Sequence, residues 1–79
     1  MSRPINEIAQ EIVNDWGAKT YFGAKPYLSA MLSLRKADDM YGYDTAHSII
    51  CYFLGNAGTY RGETAKRVKA ELKQMVGLK

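Results

Sequence analysis

The sequence predicts an all-α fold: a compact single domain of about four short helices over residues 1–79, with the third helix central. Two observations carry this. Apolar residues recur at helical spacing in the first and last thirds of the chain, and no segment alternates with period two between turn signals.

The first helix has the clearest pattern. Ile5, Ile8, Ala9, Ile12, Val13 and Trp16 fall at i, i+3, i+4, i+7, i+8 and i+11, one apolar stripe backed by Asn6, Glu7, Gln10, Glu11, Asn14 and Asp15. Pro4 suits the first turn and Gly17 a left-handed stop. After a loop, Pro26 opens a second helix that buries Tyr27, Leu28, Met31 and Leu34. Continuing it would put Arg35 and Asp38 on the apolar side, so it is expected to end near Leu34–Ala37. Asp44 reads as the N-cap of a third helix running to about Ala57, with Ala46, Ile49, Ile50, Phe53, Leu54 and Ala57 as its apolar arc. No formal charge occurs from Thr45 to Tyr60. Ser48, Cys51 and Gly55 form an opposite stripe of small residues where another helix can approach, so two-sided packing is expected. Thr59 can cap a fourth helix from about Tyr60 to Val76, stopped at Gly77, with Ala65, Val68, Leu72, Met75 and Val76 as its core stripe.

Seventy-nine residues suffice for one domain with a marginal core, the size at which oligomerisation often helps. Hydrophobic residues at 47 % and charged residues at 24 % argue against disorder. One cysteine excludes an internal disulfide framework and favours a reducing compartment. No apolar run is long enough to span a bilayer, and the N-terminus lacks a signal-peptide pattern, so a cytoplasmic protein is expected. The charge is uneven. Residues 1–44 carry five Lys/Arg against six Asp/Glu, whereas residues 45–79 carry six against two. A basic C-terminal third reads either as a solvated surface or as the seat of an anionic partner.

Catalysis finds little support. The lone histidine, His47, lies one helical turn from the lone thiol, Cys51, but on a helix where a buried thiol is ordinary. Nothing else has the spacing of a metal site or a phosphate-binding loop, so neither enzyme activity, cofactor nor metal is expected. The start of the fourth helix is more informative. Arg67 can pair with Glu63 and Glu71, while Lys66, Lys69 and Lys73 form an unpaired basic stripe beginning beside Gly62. Free amides at the helix start, with Arg61 beside them and Tyr60 offering a flat ring, suit a phosphate joined to a base. An ordinary capped helix with a wet lysine face is the competing reading. Tyr21 and Lys25, in the aromatic loop Tyr21-Phe-Gly-Ala-Lys-Pro-Tyr27, make either a second ligand wall or a core plug. Six tyrosines in the chain leave some for an interface.

The segments Tyr21-Phe-Gly-Ala-Lys-Pro-Tyr-Leu-Ser-Ala-Met and Tyr60-Arg-Gly-Glu-Thr-Ala-Lys-Arg-Val-Lys-Ala-Glu-Leu, with Tyr52-Phe-Leu between them, carry a resemblance. The chain resembles small accessory proteins encoded by bacteriophages, from Ile5 to Met75; that group often has tryptophan where Tyr60 stands. The resemblance implies no catalytic residues. It implies a protein acting in the infected host cell against a host defence by stoichiometric binding. The leading expectation is therefore a non-catalytic counter-defence protein, a homo-oligomer that sequesters an anionic nucleotide-like ligand at Tyr60, Arg61, Gly62 and Lys66, with Tyr21 and Lys25 as further contacts. The alternative is a protein–protein inhibitor of a host defence enzyme, in the manner of an anti-CRISPR. Nucleic-acid binding ranks third, because +4 over the last 35 residues is modest and no recognition motif is present.

Overall fold

A computed structural model describes residues 3–36 and 38–77. Among them the chain forms α1 (Ile5–Trp16), a 3₁₀ turn (Gly17–Lys19), α2 (Lys25–Met31), the strands β1 (Met40–Tyr41) and β2 (Asp44–Thr45), α3 (Ala46–Gly55) and α4 (Glu63–Met75). The chain is mostly α, with a Cα radius of gyration of 11.1 Å.

α1 follows its pattern closely. Ile5, Ile8, Ala9, Ile12 and Trp16 are buried, and Gly17 at φ 54° ends the helix with its amide on the Val13 carbonyl. That left-handed geometry disfavours a side chain, which is why the helix stops there. The Ile5 amide donates to the Arg35 carbonyl at 2.9 Å, pinning the start of α1 to the segment after α2.

α2 is shorter than its apolar pattern. It ends at Met31, because Ser33 turns its amide and hydroxyl onto the Ala30 carbonyl and tightens the last turn. Leu34 is still fully buried beyond it, and Ala37, the outer limit expected for this helix, lies outside the described residues. Asp39 Oδ2 then accepts the amides of Arg35 and Lys36, holding its carboxyl below the ordinary range.

The hairpin is a departure. Met40 faces Thr45 and Tyr41 faces Asp44 across Gly42 and Tyr43. Two-residue strands are too short to produce an alternating pattern, so periodicity misses them. Asp44 is consequently a strand residue. The cap of α3 is Thr45, whose Oγ1 accepts the Ser48 amide at 3.1 Å, one residue later than expected.

α3 buries Ala46, Ile49, Ile50 and Phe53, the last being the largest fully buried side chain in the protein. The small-residue stripe is covered unevenly: Ser48 and Cys51 are half-buried, with Cys51 packed against the core, whereas Gly55 is exposed and a Cβ built there meets nothing within 4 Å, so no helix approaches closely at Gly55. The helix stops at Gly55 rather than Ala57, with Asn56 donating its side-chain amide to the Tyr52 carbonyl at 2.9 Å.

Trp16 joins the layers. Its ring meets Phe53 edge-on, with centroids 6.3 Å apart, and stacks on Tyr60 at 4.7 Å. Drawing Tyr60 into the core shortens α4 at its N-terminus. Its cap is Gly62 at φ 115°, not Thr59, and the first helical residue is Glu63, not Tyr60. Two arginines then tie α4 to α1. Arg3 contacts Glu71 at 2.6 Å and Glu11 at 2.8 Å, and Arg67 contacts Glu11 and, at 3.6 Å, Glu71. The expected Arg67–Glu63 pair is replaced by Arg67–Glu11, since the Glu11 carboxylate arriving from α1 is shared between the Arg67 and Arg3 guanidinium groups.

Candidate functional site

α4 has three faces with different surroundings. Ala65, Val68 and Leu72 face the core, and Arg67 and Glu71 lie in the ion cluster with α1. The remaining face carries Lys66, Lys69 and Lys73, because residues three and seven apart project to one side of a helix. With Arg61 and Gly62 at its N-terminal end, this face lines an open groove of about 620 Å³, floored in part by Ala65 and Ala70. Among the described residues no carboxylate lines it; Glu63 is exposed in the first turn but stands outside. All ion pairs among the described residues belong to the Arg3–Glu11–Arg67–Glu71 cluster, so the groove cations have none.

Lys69 shows what this crowding costs. Its Nζ donates to the Tyr60 carbonyl and lies 5.6 Å from the centre of the Tyr60 ring. Burial, then repulsion from Lys73 and Arg61, lowers its pKa below the ordinary lysine value. An anion in the groove would relieve that repulsion and replace the water the ammonium has lost.

Of the residues singled out from sequence, Tyr60, Arg61, Gly62 and Lys66 meet in this groove. Tyr60 occupies a different position from the one expected. It is 2 % exposed, one ring face is covered by Trp16, and its hydroxyl donates to Asp15 Oδ2 at 2.9 Å. Burial and that carboxylate push its phenol pKa well above the usual tyrosine value. Tyr60 therefore forms part of the wall and offers no free ring for a base to stack on. Arg61 precedes the helix and is exposed. Tyr21 and Lys25 lie outside the groove. Tyr21 packs on Phe22 at 4.9 Å, with Phe22 76 % exposed, and Lys25 is the exposed first residue of α2. The aromatic loop thus leaves Tyr21 and Phe22 open to solvent, which corrects the core-plug expectation for these two rings and places them apart from the groove.

A second recess of about 340 Å³ adjoins the groove at Tyr60 and Arg61 and adds Asp15, Trp16, Lys19 and Thr59. Asp15 and Lys19 come from the end of α1 and the turn after it, and no local spacing in the sequence connects them with Arg61.

His47 and Cys51 do meet: Sγ lies 3.9 Å from Nδ1, while Nε2 is 3.1 Å from the Val76 carbonyl. The second contact ties the start of α3 to the end of α4. Among the described residues no group of three or more His, Cys, Asp or Glu is arranged to hold a metal. No helix among the described residues is long and apolar enough to cross a membrane. Comparison with protein-family models, with curated proteins and with solved structures yields no match for this chain.

Proposed function

We propose that this protein is a non-catalytic binding protein that holds an anionic, nucleotide-like ligand in the α4 groove. The observation that carries the reading is the lining itself: Arg61, Lys66, Lys69 and Lys73 converge on one concave surface without a carboxylate among them. Like charges gathered this way repel one another, and a phosphate group offsets the repulsion while accepting their hydrogen bonds. The first-turn amides of α4, beside Gly62, add partial positive charge at the same end. The resemblance to bacteriophage accessory proteins supplies the context. In a host cytoplasm such a protein acts by sequestering a nucleotide signal of a defence pathway, and self-association would multiply its sites.

The test is a calorimetric titration with inorganic pyrophosphate and with ADP. Both should bind, with affinity falling as salt rises. Arg61→Ala and Lys66→Ala should each weaken binding about ten- to a hundredfold, the worth of a charged hydrogen bond. Lys73→Ala, further along the helix, should matter less for so small a ligand. Absence of binding, or equal binding by the variants, overturns the reading.

A second reading draws on a separate observation. Met40, Tyr41 and Tyr43 are exposed on the hairpin, Tyr43 completely, and Phe22 and Tyr52 are exposed elsewhere. Aromatic side chains left in solvent favour a protein interface. This supports stoichiometric inhibition of a host defence enzyme, or association with further copies of the chain. If the hairpin is the contact, Tyr41→Ser with Tyr43→Ser should abolish capture of the partner or reduce the particle to a monomer in light scattering, while anion binding persists. Direct nucleic-acid binding would instead make Arg61→Ala and Lys73→Ala equally harmful and lower the salt dependence in both.

A further inference from the structure

The groove and the recess beside it share Tyr60 and Arg61, but their chemistry differs. The charged residues that line the groove are all cations, Arg61, Lys66, Lys69 and Lys73. The recess holds one carboxylate, Asp15, together with Lys19 and the Thr59 hydroxyl. Resting on the anion-binding reading above, we infer that the ligand is bipartite: its phosphate lies along Lys66 and Lys69, and an uncharged hydrogen-bond-donating part enters the recess, where Asp15 reads it.

Three facts make Asp15 the discriminating residue. First, a carboxylate repels phosphate, so the anionic part of a ligand bridging Arg61 is directed away from the recess and toward the lysines. Second, Asp15 accepts only one hydrogen bond from the described residues, from the Tyr60 hydroxyl onto Oδ2 at 2.9 Å. An ionised carboxylate has about four acceptor sites, so capacity for an incoming donor remains. Third, the Tyr60 hydrogen bond fixes the carboxylate against a buried, stacked ring, so Asp15 is positioned before a ligand arrives. The aromatic faces of Trp16 and Tyr60 are spent on each other, which removes base stacking as the basis of recognition. What the recess offers instead is an acceptor at Asp15, a donor at Lys19 and a hydroxyl at Thr59. The complementary group is a sugar hydroxyl or a base amino group, both neutral donors carried by a nucleotide and lacking in inorganic phosphate.

The test compares ADP, ribose 5-phosphate and inorganic pyrophosphate by calorimetry on the full chain, with Asp15→Asn as the main variant. Asparagine keeps the size of the side chain and an acceptor for the Tyr60 hydroxyl, so the fold should survive. It removes the charge and turns one acceptor into a donor. ADP should bind wild type at least about tenfold tighter than pyrophosphate, and Asp15→Asn should remove most of that preference, leaving pyrophosphate as tight or tighter. Thr59→Val, at an exposed position outside the core, should erode the preference in the same direction. Loss of ribose 5-phosphate binding alongside ADP would assign the donor to the sugar; loss confined to ADP would assign it to the base. If pyrophosphate binds and depends on Lys66 while ADP gains nothing over it, or keeps its gain in Asp15→Asn, the bipartite reading is overturned and the anion site stands. If pyrophosphate and ADP both fail to bind wild type, both are overturned.

Discussion

Two charged faces of the same helix behave differently. On one, Arg67 and Glu71 meet Arg3 and Glu11, and charge is balanced across the α1–α4 contact. On the other, Lys66, Lys69 and Lys73 join Arg61 around a groove with no acidic residue in its lining. In sequence the two sets interleave, and helical spacing alone separates the paired Arg67 from the unpaired lysines. The difference arises because α1 brings Glu11 to one side only. Balanced charge there belongs to the fold; the uncompensated charge is what the proposed ligand would meet.

The largest expected effect breaks both faces at once. Phe53 is fully buried and packs edge-on against Trp16, which stacks on Tyr60 in the groove wall. Phe53→Ala should cost roughly 3–5 kcal/mol, a large part of what a small domain has. Thermal melting should reveal an unfolded or barely folded chain. Wild-type melting would mean that the Trp16 junction does not hold the layers together.

The next effect separates the faces. Lys66→Ala should leave stability within about 0.5 kcal/mol of wild type, as for other exposed positions, while anion affinity falls about ten- to a hundredfold. Glu11→Gln should do the reverse. It removes the carboxylate that both arginines share, lowers stability by about 1 kcal/mol or less, and leaves anion affinity unchanged. Paired melting and titration of the two variants checks this. If Glu11→Gln alters binding as much as Lys66→Ala does, the faces are coupled and the distinction fails.

How much of this could be read beforehand depended on whether the signal was local. The α1 stripe and the Lys66–Lys69–Lys73 row are spacings within one helix, and they appear in the structure as the sequence implies. The caps shifted where a tertiary demand won. Tyr60 was drawn onto Trp16, so α4 begins three residues late, and the short hairpin took Asp44 away from α3. Tyr60 illustrates the limit most clearly: its position beside the basic row was legible, but its burial was set by a residue 44 positions earlier. Asp15 was missed because nothing near it in the chain announces Tyr60 or Arg61, and its polar place on α1 looked like ordinary solvation. Arg67 was matched to Glu63 by helical spacing, until α1 supplied Glu11.

The smallest effects are in the pH dependence, where the two faces and the wall between them carry opposite signs. Arg67 and then Arg3 hold Glu11 below its ordinary pKa of 4.5. Its contribution is present above that value and is lost as pH falls, so Glu11→Gln should flatten the acid limb of stability against pH. At the alkaline end Tyr60 and Lys69 oppose each other. The Tyr60 phenol, buried and bonded to Asp15, has its pKa raised above the ordinary 10.0. Above about pH 10 the unfolded chain loses this proton while the folded chain keeps it, so stability declines as pH rises. Lys69 has its pKa lowered below the ordinary 10.5. Approaching that value from below, the folded chain releases the lysine proton first, and stability rises with pH as the cost of burying the ammonium, and then its repulsion from Lys73 and Arg61, is relieved. Denaturant midpoints measured between pH 8 and pH 11 should therefore show a shallow rise followed by a fall. Lys69→Met should erase the rise and keep the fall. Tyr60→Phe should erase the fall and keep the rise, at some cost from leaving Asp15 without its donor. If Lys69→Met leaves the rise intact, the Lys69 ammonium carries no measurable penalty in the folded chain, from burial or from its neighbours, and the contrast between the two faces of α4 loses this support.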